Sequence, residues 1–245
     1  MKVIGHRGAS SSAPENTMAA FRAAIELGAD GIEFDVQQTG DGRLVIIHDA
    51  MLDRTTNGSG HVFETTAAAT EALDAGGWFS EAFADERVPR LDDVLALRDV
   101  DFELEFKDYG RALLDAVLDA VDRAGVFSRV KFTGWNFPLL GILRSERPQA
   151  RIGLFSTPRQ PWMTASAFER YVLGMAETSP ADVAHVYAGG ITPRIVEGLH
   201  GLGLEAHAND AADTDEMKRA IDAGVDSLSA NDVRAAVLMR DSYKD

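Results

Sequence analysis

Acidic side chains alternate with large apolar ones in two short segments of the chain. The charged residues are Glu33 and Asp35 within residues 32–36, and Glu103, Glu105 and Lys107 within residues 102–107. Successive strand side chains point to opposite faces, so each segment predicts a strand with one apolar and one charged face. One such strand alone fits a solvated strand end, or structural ion pairs with Lys107 as the counter-ion. Two such strands favour a shared cation, because grouped carboxylates repel each other and are costly to desolvate, and their oxygens suit magnesium or calcium.

Histidine and arginine side chains end two other predicted strands. His6 and Arg7 lie between two glycines at the end of the first strand, and His48 follows the apolar residues 44–47. Arginine offers a planar, two-pronged donor for phosphate oxygens, and histidine exchanges protons near neutral pH. Each of these residues alone would more often be structural. Together, the two histidines could supply the acid and the base that hydrolysis of a phosphodiester needs.

Short β-rich runs alternate with amphipathic helical runs along the chain, which predicts repeated βα units. A turn at residues 40–42 joins strand 31–38 to a return strand at 44–48 as a hairpin. The other predicted strands are 3–6, 102–107, 129–133, 151–155, 183–188, 204–209 and 225–229. The predicted helices are 17–27, with Asn16 as the N-cap, 91–98, 111–124, 139–146, 164–177, 193–202, 214–223 and 233–240.

Without the return strand of the hairpin, the pattern contains eight strands, and eight parallel βα units predict a closed TIM-like (β/α)8 barrel. Residues 1–245 would form one domain, with a small insertion after the early hairpin at about 50–90, a stretch rich in Gly, Thr and Ala. The alternative is a doubly wound open sheet. In a barrel, the carboxyl ends of the strands share one mouth, so the charged segments and the histidines should meet there.

Charge and composition limit the classes of partner. The 245 residues carry a formal net charge of −15 and contain no cysteine. An acidic field disfavours nucleic acid and anionic membranes, so a phosphate site would need local positive charge. The lack of cysteine fits a reducing cytoplasm, and the sequence shows no signal peptide and no apolar run of about 18 residues that would anchor it in a membrane. The oligomeric state is left open.

Several motifs in the first 107 residues resemble, in order, those of the glycerophosphodiester phosphodiesterase family. They are His6-Arg7-Gly8, Ala13-Pro14-Glu15-Asn16-Thr17, Gly28-Ala29-Asp30, residues 32–36, His48-Asp49, residues 52–58, Val88-Pro89-Arg90-Leu91 and Glu105-Phe106-Lys107. The resemblance implies a TIM-like barrel with a small insertion after the early hairpin. It also implies hydrolysis of a small-molecule glycerophosphodiester to glycerol 3-phosphate and an alcohol.

The same resemblance implies roles at the mouth. His6 and His48 match the acid/base pair, and Arg7 and Lys107 match cations that bind the phosphate. The residues that match the metal ligands, and would hold one divalent cation, Mg²⁺ or Ca²⁺, are Glu33, Asp35 and Glu105. Two other functions stay open: a related barrel phospholipase of the C or D type acting on lipid, and a barrel that only binds a phosphorylated ligand or a cation. The acidic charge and the missing membrane helix disfavour the first, and the complete set of histidines and carboxylates disfavours the second.

The C-terminal half departs from the family pattern. Residues 205–210 (EAHAND) replace a Trp-Thr-Val-Asn-like run, Gly134-Trp135 replaces a Ser-Phe pair, and residues 230–233 (ANDV) replace a Thr-Asp-Arg-Pro-like run. These positions end barrel strands, on the face where substrate binds. We therefore expect Trp135 and His207 to line the alcohol side of the pocket. The alternative for Trp135 is packing over the helix that follows it.

Overall fold

Strands and helices alternate along residues 1–243, the part of the chain that the computed structural model describes. The strands are β1 (Lys2–Gly5), β2 (Gly31–Gln38), β3 (Leu44–Ile46), β4 (Asp101–Phe106), β5 (Val130–Gly134), β6 (Arg151–Phe155), β7 (Val183–Tyr187), β8 (Glu205–Ala211) and β9 (Ser227–Ala230). The α-helices are α1 (Met18–Glu26), α2 (Ala67–Glu71), α3 (Leu91–Leu95), α4 (Arg111–Ala124), α5 (Phe137–Glu146), α6 (Ala165–Glu177), α7 (Pro193–Gly201), α8 (Thr214–Ala223) and α9 (Val233–Ser242). No helix in this range combines the length and the hydrophobicity that crossing a bilayer requires.

Parallel pairing closes the sheet into a barrel. Within residues 1–243, every strand except β3 pairs in parallel with two neighbours, in the order β1-β9-β8-β7-β6-β5-β4-β2. β1 completes the ring, since it pairs with β9 through Val3 and Leu228 and with β2 through Ile4 and Gly31. β3 lies outside the ring, antiparallel to β2. The predicted (β/α)8 barrel is confirmed, and the open sheet is excluded because β1 and β2 pair with each other.

Alternation along the strands separates an apolar outer layer from a polar interior. On β2, Ile32 and Phe34 belong to the core that the helices cover, and Phe34 makes edge-to-face contacts with Phe21 of α1 and Phe102 of β4. Burying a side chain of this size contributes roughly 1.5–3 kcal/mol. The alternate residues of β2 face the barrel interior. The outer layer therefore provides stability and leaves the inner face available for function.

Helix α1 begins after Thr17, and the expectation that Asn16 is its N-cap is wrong. The Thr17 hydroxyl accepts the capping hydrogen bond from the Ala20 amide. Asn16 has a left-handed backbone, with φ 57°, and its side-chain amide donates to Asp35 at 2.7 Å. Both residue types are good N-caps, so the sequence pattern could not show that Asn16 is used to hold a strand carboxylate instead.

The irregular stretch between β3 and α3, residues 47–90, forms the predicted insertion. It contains α2, short 3-10 helices at Val62–Glu64 and Glu81–Phe83, and an apolar cluster of its own. The cluster consists of Val45, Ile47, Leu52, Val62, Ala75 and Val88. Because Val45 belongs to β3, the cluster anchors the insertion on the hairpin that leads into the mouth of the barrel.

Candidate active site

The carboxyl ends of the parallel strands meet at one mouth of the barrel, around a cavity of about 200 Å³. The predicted site residues in its wall are His6, Arg7, Glu33, His48, Glu105, Lys107 and Trp135. Asp35 is fully buried beside them. Side chains that are far apart in the sequence thus line one cavity, and Asp35 and His207 are the two predicted residues that are not part of its wall.

Strand register brings the three predicted metal carboxylates together. Asp35 on β2 is the direct neighbour of Glu105 on β4, and Glu33 lies two residues earlier on the same face of β2. One oxygen from each of the three carboxylates lies within 4.8 Å of the others. Glu33 Oε1 and Asp35 Oδ1 are buried without a hydrogen-bond partner. Buried oxygens of this kind need a partner, and a divalent cation fits because it prefers carboxylate ligands.

Arg7 and Lys107 place positive charge beside these carboxylates. The Lys107 ammonium lies 2.8 Å from Glu105 Oε1 and 3.4 Å from Asp35 Oδ1. The Arg7 guanidinium lies 3.3 Å from Asp35 Oδ2, and the Arg7 backbone amide donates to Glu33 Oε2 at 2.8 Å. Two cations therefore face three carboxylates, and the charges do not balance when all three are ionised.

Burial and the neighbouring charges give the three carboxylates different pKa values. Burial alone would raise the pKa of Asp35, but Lys107 and Arg7 outweigh it and hold that pKa below its usual value. Burial, with repulsion from Asp35 and Glu105, raises the pKa of Glu33 well above its usual value. Burial and repulsion from Asp35 raise the pKa of Glu105 to about 7. Without a cation the group therefore retains protons near neutral pH, and a bound cation has to displace them.

Asp49 fixes both the orientation and the proton position of His48. Asp49 Oδ1 lies 2.6 Å from His48 Nδ1, and a hydrogen bond from Arg54 lowers the pKa of Asp49, so this carboxylate is an acceptor. His48 Nδ1 therefore carries a hydrogen, and Nε2 keeps its lone pair in the neutral ring. Burial lowers the pKa of His48 itself. At neutral pH, His48 is thus a neutral imidazole that can accept a proton.

His6 lies between two side-chain oxygens. Nδ1 is 2.7 Å from Asn231 Oδ1, and Nε2 is 3.0 Å from Asp210 Oδ1. Both contacts are favourable when both ring nitrogens carry hydrogen, so this environment suits a proton donor. The sequence pattern placed Asp210 and Asn231 on the substrate-binding face but indicated no individual role for either residue. The available signal was that they fall in residues 205–210 and 230–233, the runs that depart from the family pattern.

The expectation for His207 is wrong. Its side chain is fully buried inside the barrel, where its ring stacks on that of His185 with the centroids 4.2 Å apart. β8 runs further than predicted and contains a register shift. The β8 residues that reach the mouth are Asn209 and Asp210, which follow His207 along the strand.

His207 belongs to a second polar cluster, deeper in the barrel. One ligand atom each from Glu103, His185 and His207 lies within 4.8 Å of the others, but Glu103 Oε2 also lies 2.7 Å from the Lys131 ammonium. Burial lowers the pKa of His185 to about 4 and lowers that of His207 as well, so both rings are neutral. Because Lys131 already neutralises Glu103, a divalent ion would add uncompensated charge to the interior. We interpret this cluster as structural.

Trp135 lies on the rim of the cavity. It is 43% exposed, and its ring stacks on Phe155 with the centroids 5.4 Å apart and the planes 19° apart. Phe155 lines the same cavity. Trp135 and Phe155 together give the mouth a partly exposed aromatic wall.

Known proteins with similar sequences identify the family of this chain. The model of the Glycerophosphoryl diester phosphodiesterase family matches residues 6–235. The chain belongs to this family. Its similarity to a glycerophosphodiester phosphodiesterase from Caldanaerobacter subterraneus subsp. tengcongensis is 38% identity over 238 residues, which is 94% of this chain and 93% of that protein. As a member of this family, the protein is a phosphoric diester hydrolase.

Solved structures share the fold. The crystal structure of a glycerophosphodiester phosphodiesterase from Agrobacterium tumefaciens is similar with a TM-score of 0.81 and 29% identity, over 96% of this chain and 99% of that chain. A phosphodiesterase from Oleispira antarctica, solved in complex with the product sn-glycerol-3-phosphate, is similar with a TM-score of 0.84 and 24% identity, over 98% of this chain and 97% of that chain. The barrel of this family member is therefore the fold found in solved phosphodiesterases.

Cation binding should depend on pH through Glu105. By isothermal titration calorimetry, Mg²⁺ or Ca²⁺ should bind about tenfold or more weakly at about pH 6 than at about pH 8, since the ion displaces a proton from a group whose pKa is about 7. Glu105→Gln has no such proton and should bind the ion more weakly overall, with a smaller pH dependence. Equal wild-type affinity at the two pH values would count against Glu105 as a ligand.

Proposed function

We propose that this enzyme hydrolyses small glycerophosphodiesters to glycerol 3-phosphate and an alcohol. The observation that carries the proposal is a cavity at the barrel mouth that brings together buried carboxylates, two cations and two oriented histidines. The carboxylates suit a divalent cation, the cations suit phosphate oxygens, and the histidines suit proton transfer. The names of the Caldanaerobacter and Agrobacterium relatives support a glycerol-containing substrate, since both are called glycerophosphodiester phosphodiesterases.

The phosphate would be bound between opposite charges. Glu33, Asp35 and Glu105 would hold one divalent cation, Mg²⁺ or Ca²⁺, which when bound supplies a Lewis acid that withdraws charge from the phosphate. Arg7 and Lys107 border the same cavity. Arg7 would bind phosphate oxygens through paired donors and Lys107 as a point charge. This local positive charge offsets the field of a chain whose net charge is −15.

The two histidines would divide the proton transfers. His48 has a lone pair on Nε2 and would take the proton from the nucleophile. If the nucleophile is water, glycerol 3-phosphate forms directly; if it is a glycerol hydroxyl, a cyclic phosphate forms, and water must then open it to glycerol 3-phosphate. His6, between Asn231 and Asp210, would give a proton to the alcohol oxygen as the bond from that oxygen to phosphorus breaks. The alcohol then leaves as a neutral molecule. Each positioned proton transfer typically contributes about 10²–10⁴ in rate.

Release of glycerol 3-phosphate tests the proposed function. With glycerophosphocholine and glycerophosphoethanolamine, we expect turnover that EDTA abolishes and that added Mg²⁺ or Ca²⁺ restores. A phospholipase would instead prefer phospholipid vesicles to these soluble diesters, and a barrel that only binds would retain the diester without forming product. Full turnover in EDTA, in a sample without metal by elemental analysis, would contradict the metal dependence.

Changing the leaving group separates the role of His6 from that of His48. His6→Ala should lose about 10²-fold or more in kcat with a choline diester, but much less with a p-nitrophenyl diester, because nitrophenolate leaves without needing a proton. His48→Ala should lose a similar factor with both substrates. Both variants should keep the wild-type Tm, since each side chain is partly exposed at the mouth. If His48→Ala instead lost much less with the p-nitrophenyl diester and His6→Ala lost a similar factor with both substrates, His48 would be the acid and His6 the base.

We propose that Trp135 contacts the alcohol. Trp135→Ala should reduce kcat/KM most for choline and ethanolamine diesters and less for glycerol and inositol diesters, because an indole attracts a cation by about 0.5–1 kcal/mol at an exposed site. The selectivity should therefore change by about two- to fivefold. Phe137→Ala is the matched control, since Phe137 is a similarly exposed aromatic residue, 41% against 43%. Equal losses of kcat/KM for all four diesters would mean that Trp135 does not discriminate among the alcohols.

A further inference from the structure

Arg54, in the insertion, binds two acidic side chains with one guanidinium. Nε and Nη2 donate to Asp49 at 2.7 and 2.9 Å, and Nη1 and Nη2 donate to Glu15 at 2.8 Å each. Both contacts are bidentate, the geometry in which an arginine–carboxylate pair is strongest and most specific. Glu15 lies in the loop after β1 and Asp49 in the segment after β3, so Arg54 ties two loops of the mouth together.

Each of these acids also contacts a residue of the proposed active site. Asp49 Oδ1 lies 2.6 Å from His48 Nδ1, and Glu15 Oε1 accepts a hydrogen bond from Arg7 Nη1 at 2.8 Å. Arg54 is therefore linked through one intervening side chain to the proposed base, His48, and through another to Arg7, which is proposed to bind the phosphate. Arg54 itself does not line the cavity.

The insertion holds the Arg54 backbone in place. Leu52 is buried in the apolar cluster of the insertion, and Thr55 and Thr56 are buried as well. The Thr56 hydroxyl donates to the Leu52 carbonyl at 2.6 Å. The chain on both sides of Arg54 is thus fixed by packing, although 43% of the Arg54 side chain is exposed.

An arginine is needed to satisfy both acids at once. Asp49 and Glu15 both accept from Nη2, so without the guanidinium two carboxylates would face each other and repel. Burial would raise the pKa of Glu15, but the hydrogen bond from Arg54 and the charge of Arg7 lower it, which keeps Glu15 an acceptor. A lysine would restore the charge but could not present two pairs of donors in a fixed plane.

We propose that Arg54 is a positioning residue of this enzyme: through Asp49 it orients His48, and through Glu15 it orients the guanidinium of Arg7. The insertion then completes the active site, because it carries the residue on which both contacts depend. This inference rests on the proposed function, in which His48 is the base and Arg7 binds the phosphate.

Substitution of Arg54 should impair catalysis with little effect on folding. Arg54→Gln should lower kcat/KM for glycerophosphocholine by about 10²-fold, the loss that displacement of a reacting group by about 1 Å can cause. Arg54→Lys should recover little of this loss. If Arg54→Gln does not fold, Arg54→Lys is compared with the control instead. Arg90→Gln is the matched control, since it removes another exposed arginine of the insertion, paired with Glu71, and it should stay within about twofold of wild type.

Two further variants separate the contacts of Arg54. Asp49→Asn should act mainly on kcat, because it disturbs the proton position of His48. Glu15→Gln should act mainly on KM, because it releases the Arg7 guanidinium. Arg54→Gln should show both effects. A purely structural role of Arg54 would instead lower the Tm and the amount of active enzyme, with kcat and KM per active site unchanged, and would overturn the inference.

Nitrogen-15 NMR of the histidines gives a readout that needs no turnover. Wild-type His48 should show a hydrogen on Nδ1 and a bare Nε2 at neutral pH, and Arg54→Gln should mix the two tautomers. Unchanged His48 shifts, or kcat/KM of the Arg54 variants equal to that of Arg90→Gln, would overturn the inference. If wild type releases no glycerol 3-phosphate but the His48 shifts still respond to Arg54→Gln, the proposed function fails and the orientation of His48 by Arg54 stands.

Discussion

The burial of Glu33, Asp35 and Glu105 at one barrel mouth is the constraint on which the rest of the site depends. One oxygen of each carboxylate lies within 4.8 Å of the others, and repulsion and desolvation both oppose full ionisation at such distances. Arg7 and Lys107 stabilise Asp35 as the charged form, while the other two carboxylates have raised pKa values. The site is therefore built so that a cation can replace protons, and the apolar outer layer of the barrel supports this unfavourable interior.

Three residues at the mouth have rare backbone conformations. Arg7, Asn16 and Asp210 have left-handed backbones, with φ of 55°, 57° and 54°, and they contact Asp35 or His6. Strain of about 1–3 kcal/mol per residue persists only where the surroundings enforce it. In this protein the barrel supplies a rigid frame, and the segments around the mouth orient the groups proposed to react. The two histidines then differ in chemistry because their neighbours differ.

Local periodicity in the sequence predicted the barrel, and with the resemblance to the family it predicted which side chains would gather at one mouth. Alternation of acidic and apolar residues showed which side chains face inward, and closure of a barrel gathers the strand ends at one mouth. The prediction failed for His207, because this residue lies in the middle of β8, opposite Ser227, and its buried side chain is below the mouth. Asn231 meets His6 across 225 positions, and Arg54 acts through two other side chains. Such partnerships are set by tertiary packing, which one sequence does not reveal.

Anomalous scattering from crystals soaked in Mn²⁺ tests the assignment of the carboxylate group most directly, because Mn²⁺ takes the oxygen ligands that Mg²⁺ takes. We predict one strong peak at the barrel mouth, about 2.0–2.6 Å from oxygens of Glu33, Asp35 and Glu105, the range of hard-cation contacts. A peak at Glu103 and His185 instead, or none at the mouth at saturating Mn²⁺, would contradict the view that these three carboxylates are buried together in order to bind a cation.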